Sequence, residues 1–233
     1  MRLRAPFTLQ RRALWLQAAC RRVSSAMGVE SRVEGHVPTH GLVVANHLSH
    51  IDILILGAAM PCFFVSKAEI GRWPYFGRAA RSGGALFIDR SKRSSASFVA
   101  QQISERLSLP VPVLLFPEGT STDGSEVLRF HTGLFEPAVA AGAPITSAAI
   151  RYVIDGGIPE RELCWFGDAL FLPHLFKVLR TQGFHAVVRF GQPRVYADRR
   201  TAAETTRDEV ATARGASISQ PEPDDVRSLS RVE

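Results

Sequence analysis

The chain has 233 residues, of which 45% are hydrophobic and 21% charged; its 14 Pro and 18 Gly are scattered without a repeat. That composition suits one domain with a sizeable core and excludes collagen-like and low-complexity chains. Cys20, Cys62 and Cys164 lie far apart with no CxxC pair, which excludes a zinc ribbon or a dense disulfide framework and implies reduced thiols in a cytosolic setting.

The net charge is +6, and residues 1–35 hold seven Arg against two Glu. A basic leader on a nearly neutral body fits an anionic membrane surface, whereas a nucleic-acid binder spreads its charge over a working face. In the leader, Leu9, Ala13, Leu16, Cys20, Val23 and Met27 recur at spacings of four and three, one apolar stripe of a helix flanked by Arg11, Arg12, Arg21 and Arg22. This reads as an amphipathic helix lying in a membrane interface, with Trp15 at headgroup level; the alternative is a surface helix packed on its own domain. No apolar run reaches the roughly 18 residues of a membrane-spanning helix, and polar residues interrupt any signal-peptide core.

Further along, short apolar runs alternate with helical patterns. Strands are expected at 29–35, 42–45, 63–66, 85–89, 111–116, 145–153 and 186–196, and helices at 51–59, 94–107, 133–141 and 173–181. The alternation predicts an α/β fold: a single domain with a mostly parallel central sheet flanked by helices, preceded by an N-terminal amphipathic helix. The expected boundaries are 1–28 for the membrane-interfacial leader, 29–200 for the domain, and 201–233 for a C-terminal helix and a disordered tail.

Three constellations carry chemistry. Asn46-His47-Leu48-Ser49-His50-Ile51-Asp52 follows the strand 42–45. On one helix His47 and Asp52 would sit about 140° apart, so they meet only if His47 precedes the helix and Asp52 lies in its first turn. Ser49-x-x-Asp52 resembles a capping box that would arrange this. A His backed by a carboxylate is a general base; with no partnered Ser or Cys nearby, the hydroxyl it activates belongs to the substrate. Asp52 as a plain helix cap is the bland alternative. A metal held by His47, His50 and Asp52 is weaker, lacking a further ligand. Phe116-Pro117-Glu118-Gly119-Thr120-Ser121-Thr122 ends another strand with small polar residues suited to an anion. Gly84-Ala85-Leu86-Phe87-Ile88-Asp89-Arg90 ends a third with a guanidinium, and Lys67 ends a fourth.

Together these blocks resemble the glycerolipid acyltransferase family, which includes the 1-acylglycerol-3-phosphate (lysophosphatidate) acyltransferases. The matching residues are Asn46-His47-x-Ser49-x-x-Asp52, Gly84-x-x-Phe87-Ile88-x-Arg90 and Phe116-Pro117-Glu118-Gly119-Thr120, with a weaker Ala143-Pro144-Ile145, all in the family's order. The resemblance implies that His47 deprotonates an acceptor hydroxyl and Asp52 orients His47. It also implies that Lys67 and Arg90 hold the acceptor's phosphate, and that Glu118, Gly119 and Thr120 line the acceptor site. It implies O-acyl transfer from an acyl-carrier protein or CoA thioester to 1-acylglycerol 3-phosphate, giving phosphatidic acid in phospholipid biosynthesis. The thioester is a co-substrate, and no cofactor, metal or nucleic acid is expected. The expected location is peripheral or monotopic on the cytoplasmic face of the cell membrane. Two departures loosen the acceptor: Ser121 and Thr122 stand where many phosphate-acceptor members carry an Arg, and the fourth block lacks its second proline. A lyso-ornithine lipid or another lyso-lipid is therefore an alternative acceptor. Hydrolysis, with water attacking, and a non-catalytic membrane protein are the rival classes; the lack of a Gly-x-Ser-x-Gly elbow counts against a serine esterase.

Overall fold

The structure is a computed structural model and describes residues 4–73, 76–88, 93–181 and 183–218. In chain order its main elements are α1 (Arg4–Ala26), β1 (Val29–Glu34), β2 (Leu42–Ala45), α2 (Ile51–Ala59), β3 (Phe63–Lys67), α3 (Phe76–Gly83), β4 (Leu86–Ile88) and α4 (Arg93–Leu107). They continue with β5 (Val113–Leu115), β6 (Glu126–Val127), α5 (Glu136–Ala140), β7 (Ile145–Val153), α6 (Phe171–Arg180), β8 (Phe184–Phe190), α7 (Arg199–Arg214) and β9 (Ser217–Ile218). Seven strands form one sheet in the order β1-β8-β7-β2-β5-β3-β4, and β6 pairs with β9 in a small second sheet. Among the described residues of the large sheet, only the β7–β8 pair is antiparallel.

The central strands are buried on both faces, as parallel strands covered by helices are. Their side chains alternate between two cores. Val43, Ala45, Leu114, Ala148 and Ile150 face one core, shared with Leu16 and Cys20 of α1, Ile51, Ile55 and Leu56 of α2, and Val178 of α6. Leu42, Val44, Val113, Leu115 and Ala149 face the other, shared with Ile103 of α4, Ala138 of α5 and Ala202, Ala203 and Val210 of α7. Because β2, β3, β4, β5 and β7 run the same way, their carboxyl ends share one edge, where open α/β sheets place their ligands. All three cysteines are free and buried.

Helix α1 differs from the expectation of a membrane-facing stripe. Ala13, Leu16 and Cys20 are buried in the protein, and α1 packs along α2 and α3. These three members of the stripe find their partners within the chain, and beside them the C-terminal turn of α2 offers the Ala58 carbonyl, which accepts hydrogen bonds from the flanking Gln17 Nε2 (3.3 Å) and Arg21 Nε (2.9 Å), a favourable place for a cation at a helix C-terminus. The side of α1 left in solvent carries Leu14, Trp15 and Val23.

The expected domain end at residue 200 falls inside α7. Asp198 caps this helix by accepting from the N–H of Arg200 (2.8 Å) and Thr201 (2.9 Å), and Gly215 ends it in the left-handed conformation with φ 68°. Its buried Ala202, Thr206, Val210 and Arg214 recur at helical spacing and pack on β7. The last strand of the large sheet ends at Phe190, short of the expected 196, because Gly191-Gln192-Pro193 follows and Pro cannot donate to a ladder. The tail beyond residue 218 lies outside the described residues.

Candidate active site

The segment from Asn46 to Ser49 leaves β2 at the shared edge, and nearly every polar backbone group in it has a partner. Asn46 clamps β7: its Oδ1 accepts from the Ile150 N–H (2.8 Å) and its Nδ2 donates to the Ile150 carbonyl (3.2 Å). The His47 N–H donates to Glu118 Oε1 (2.7 Å), and the His47 carbonyl accepts from the Thr122 N–H (2.9 Å). The N–H groups of Leu48 (2.7 Å) and Ser49 (3.0 Å) both donate to Asp52 Oδ2, and the Leu48 carbonyl accepts from the Trp165 N–H (2.8 Å). A buried turn satisfied in this way is rigid, because any movement leaves a polar group without a partner.

Asp52 lies in the first turn of α2 with 0% exposure. Its Oδ2 also meets His47 Nδ1 at 2.8 Å, and its Oδ1 accepts from the Tyr152 hydroxyl on β7. His47 therefore precedes the helix and meets Asp52, as the spacing requires. The capping box is only half made: the carboxylate reaches back to the Ser49 N–H, but helix α2 starts one residue later and the Ser49 hydroxyl lies 3.4 Å from the Ile51 N–H. Four donors converge on this carboxylate, which fits a group kept to orient His47. With Nδ1 turned to Asp52, Nε2 is the nitrogen left for a substrate proton. The imidazole stacks on Phe116 with ring centroids 4.2 Å apart and an interplanar angle of 19°, and its side chain keeps 18% exposure.

Glu118 departs from the expected place in the acceptor lining. It is 4% exposed, its Oε1 takes the His47 N–H, and its Oε2 takes the Leu128 N–H (3.0 Å). It ties the two strand-end loops together behind His47, a positioning role. Burial pushes its carboxyl up to about 7, against the pull of those two N–H donors and of the Arg214 charge. Gly119 and Thr120 do line a cavity of about 380 Å³ beside His47. Its wall is largely apolar, with Leu16, Ile53, Leu54, Phe64, Trp165 and Phe171 among the lining side chains.

His50 turns from the His47–Asp52 pair into an aromatic cluster. Its ring meets those of Phe171 (4.7 Å), His174 (5.1 Å) and Trp165 (5.6 Å) edge-on, and burial, then the neighbouring His174, lowers its pKa to about 4. Lys67 is the last residue of β3, paired with Ile88, the last residue of β4; β3 lies two strands from β2, about 10 Å across the sheet. The Lys67 side chain and Arg90 lie outside the described residues.

Sequence reasoning missed Tyr152, Glu160 and Arg214. Arg214, buried at the end of α7, donates to the carbonyls of Ile150 and Gly124 (2.8 Å) and to Glu160 Oε2 (2.8 Å), while Glu160 Oε1 takes the Tyr152 N–H (2.6 Å). This network holds β7, and with it the Tyr152 hydroxyl, against the site. Tyr152 was findable: it falls in register with Ala148 and Ile150 on the inward face of β7, where a hydroxyl needs a partner.

The chain belongs to the acyltransferase family, whose model matches residues 29–151. It is 33% identical over 231 residues to a lyso-ornithine lipid O-acyltransferase of Rhizobium meliloti, covering 93% of this chain and 76% of that protein. A lyso-ornithine lipid O-acyltransferase of Pseudomonas aeruginosa is 39% identical over 167 residues, covering 71% of this chain and 62% of that protein. A 1-acyl-sn-glycerol-3-phosphate acyltransferase of Neisseria meningitidis is 34% identical over 140 residues, 59% of this chain and 55% of that protein. The chain thus spans less than two thirds of the Pseudomonas and Neisseria relatives. The crystal structure of the 1-acyl-sn-glycerophosphate acyltransferase PlsC from Thermotoga maritima has the same fold, with a TM-score of 0.67 at 18% identity over 87% of this chain and 78% of that one.

Proposed function

We propose that this protein transfers a fatty acyl group from a thioester to the free hydroxyl of a lyso-lipid. The observation that carries this reading is the His47–Asp52 pair, fixed at the carboxyl edge of the sheet and opening on an apolar cavity. His47 Nε2 takes the proton of the acceptor hydroxyl as its oxygen attacks the thioester carbonyl. The tetrahedral intermediate then collapses with loss of the thiolate, to which the imidazolium returns the proton. Asp52 holds the imidazole tautomer and stabilises the cation formed in between. The apolar wall suits an acyl chain. The lipid acceptor implies work at a membrane surface; among the described residues no helix is long and apolar enough to cross a membrane.

For the acceptor we favour a lyso-ornithine lipid. The relatives matched over most of this chain carry that name, and Ser121 and Thr122 follow Thr120 where a phosphate-binding Arg would be expected. Lysophosphatidate is the second reading, supported by the Neisseria relative's name and by the Arg90 block. The test is an acyl-transfer assay with purified protein, acyl-carrier protein or CoA thioester as donor, and a panel of lyso-ornithine lipid, lysophosphatidate, lysophosphatidylcholine and glycerol 3-phosphate. We expect product on lyso-ornithine lipid, reduced about a thousandfold or more in His47→Ala with the fold intact. Product on lysophosphatidate alone would move the acceptor, and release of free fatty acid alone would replace transfer by hydrolysis. Absence of any His47-dependent product would refute the reaction.

A further inference from the structure

Helix α6 is apolar on two opposite sides. One side faces the protein: Val178 belongs to the core, and buried His174 sets its Nε2 3.1 Å from the Leu163 carbonyl oxygen. On the other side Leu172, Phe176 and Leu179, at spacings of four and three, form a second stripe, with Leu170 just before the helix. These four side chains are 52–71% exposed. A helix that is apolar all round needs cover on both faces, and this one has cover within the described residues on only one.

What covers it follows from its surroundings. Phe171 opens α6, and Trp165 and Phe166 lie in the loop before it; all three line the cavity beside His47. The exposed stripe and the cavity wall are thus carried by one short segment. Arg180 stands in the last turn of the helix, next to Lys177, whose ammonium is paired with Glu162 Oε2 (2.6 Å); a cation such as Arg180 is what an interfacial helix presents to anionic headgroups. A second copy of the chain is a poor occupant. Four such side chains offer on the order of 500 Å², whereas a stable protein dimer buries about 800 Å² per partner. A patch of this size inserted a few ångströms into a bilayer needs no complementary protein surface.

We propose that Leu170, Leu172, Phe176 and Leu179 of α6 insert into a lipid surface and seat the cavity on the bilayer, so that the acceptor reaches His47 without crossing water. This surface is separate from the exposed side of α1. The proposal rests on the reading that the acceptor is a lipid, but its first test does not depend on turnover.

The full chain is sedimented with vesicles of phosphatidylethanolamine and phosphatidylglycerol, as wild type and as the triple variant Leu172→Ser, Phe176→Ser, Leu179→Ser. Vesicle affinity should fall about tenfold or more, since each lost side chain removes a large apolar contact. Phe176→Trp, a conservative change that leaves the core side of α6 untouched, should add to the wild-type spectrum an emission that shifts to the blue on vesicle addition and is quenched by brominated lipid. Transfer to an acceptor embedded in vesicles should fall with affinity, while transfer to a short-chain lyso-lipid dispersed as monomers should stay within about twofold. Unchanged vesicle affinity of the triple variant would overturn the proposal, as would an emission of the Phe176→Trp variant that vesicles leave unshifted. So would a wild-type dimer that the triple variant dissociates. If the wild type acylates no acceptor yet the triple variant still loses vesicle affinity, the surface stands and the acyl-transfer reading falls.

Discussion

Replacing Glu118 by Gln separates two forces that act on one buried carboxyl. The two N–H donors of His47 and Leu128 favour the carboxylate, and burial at 4% exposure opposes it. Burial wins, raising the pKa from 4.5 to about 7. Because the folded value lies above the unfolded one, this group's contribution to stability is fully present below about pH 4.5 and is lost as pH rises through about 7. Gln does not titrate, so the stability of wild type relative to Glu118→Gln should fall with pH, by about 2 kcal/mol between pH 5.5 and 8.5 at ~1.4 kcal/mol per unit. The amide has one acceptor oxygen and must set its NH₂ against one of the two backbone N–H groups, which costs about 2 kcal/mol at the acid end. The variant should therefore melt several degrees below wild type at pH 5.5 and close to it at pH 8.5, at about 2–4 °C per kcal/mol for a chain of this size. Thermal unfolding followed by near-ultraviolet circular dichroism across that range reads the difference directly, with titrations common to both proteins cancelling. A gap that widens as pH rises would refute the reasoning. It would mean that the two donors hold the carboxylate more firmly than burial resists it.

Two further substitutions probe the supports of the site. Tyr152→Phe removes one of four donors to buried Asp52 and should lower stability by about 2 kcal/mol in urea unfolding, the contribution of a hydrogen bond to a charged acceptor. With three donors remaining, kcat should fall about tenfold or less at unchanged KM; unaltered stability would remove the Tyr152 hydroxyl from the account of Asp52. Gly57→Ala tests the close approach of α1 to α2, since the added Cβ would lie 2.8 Å from Cys20 Sγ and 3.0 Å from Phe64 Cζ. The overpacking should cost about 1–3 kcal/mol, and adding Cys20→Ala should recover part of it; simple additivity of the two changes would show that α1 does not press on Gly57.

The parts of this fold that were legible in the sequence are those where local chemistry decides the outcome. The strands at Leu42–Ala45 and Ile145–Val153 and the helix at Ile51–Ala59 form where expected, because each is an apolar run bounded by Gly, Pro or polar residues. The His47–Asp52 contact was legible for the same reason, since five residues across a strand-to-helix turn leave few ways to meet. Helix α3 was not anticipated: its sequence is rich in Arg, Ser and Gly, and what it gains is packing against α1. Glu118 was misplaced because a motif shows which residue follows a strand but not whether its side chain turns outward to ligand or back to the main chain.

The two apolar helices make the same point with opposite results. The stripe of α1, flanked by arginines, carries every local sign of a membrane-facing helix, yet Ala13, Leu16 and Cys20 are covered by the chain itself. Helix α6, expected from the sequence only as a short helix at 173–181, keeps Leu172, Phe176 and Leu179 in solvent. Periodicity reports that a face needs cover and is silent about what supplies it. The difference lies in non-local packing: α2 and α3 approach α1 closely enough for Gly57 and Gly83 to meet Cys20 and Leu16, whereas α6 sits at the rim of the cavity with, among the described residues, only one flank against the domain. A face covered by the chain contributes to folding stability, whereas a face left open beside the cavity does not. Truncating α1 should therefore cost the protein its fold before it costs the protein its membrane, and polar substitutions on the outer face of α6 should do the reverse.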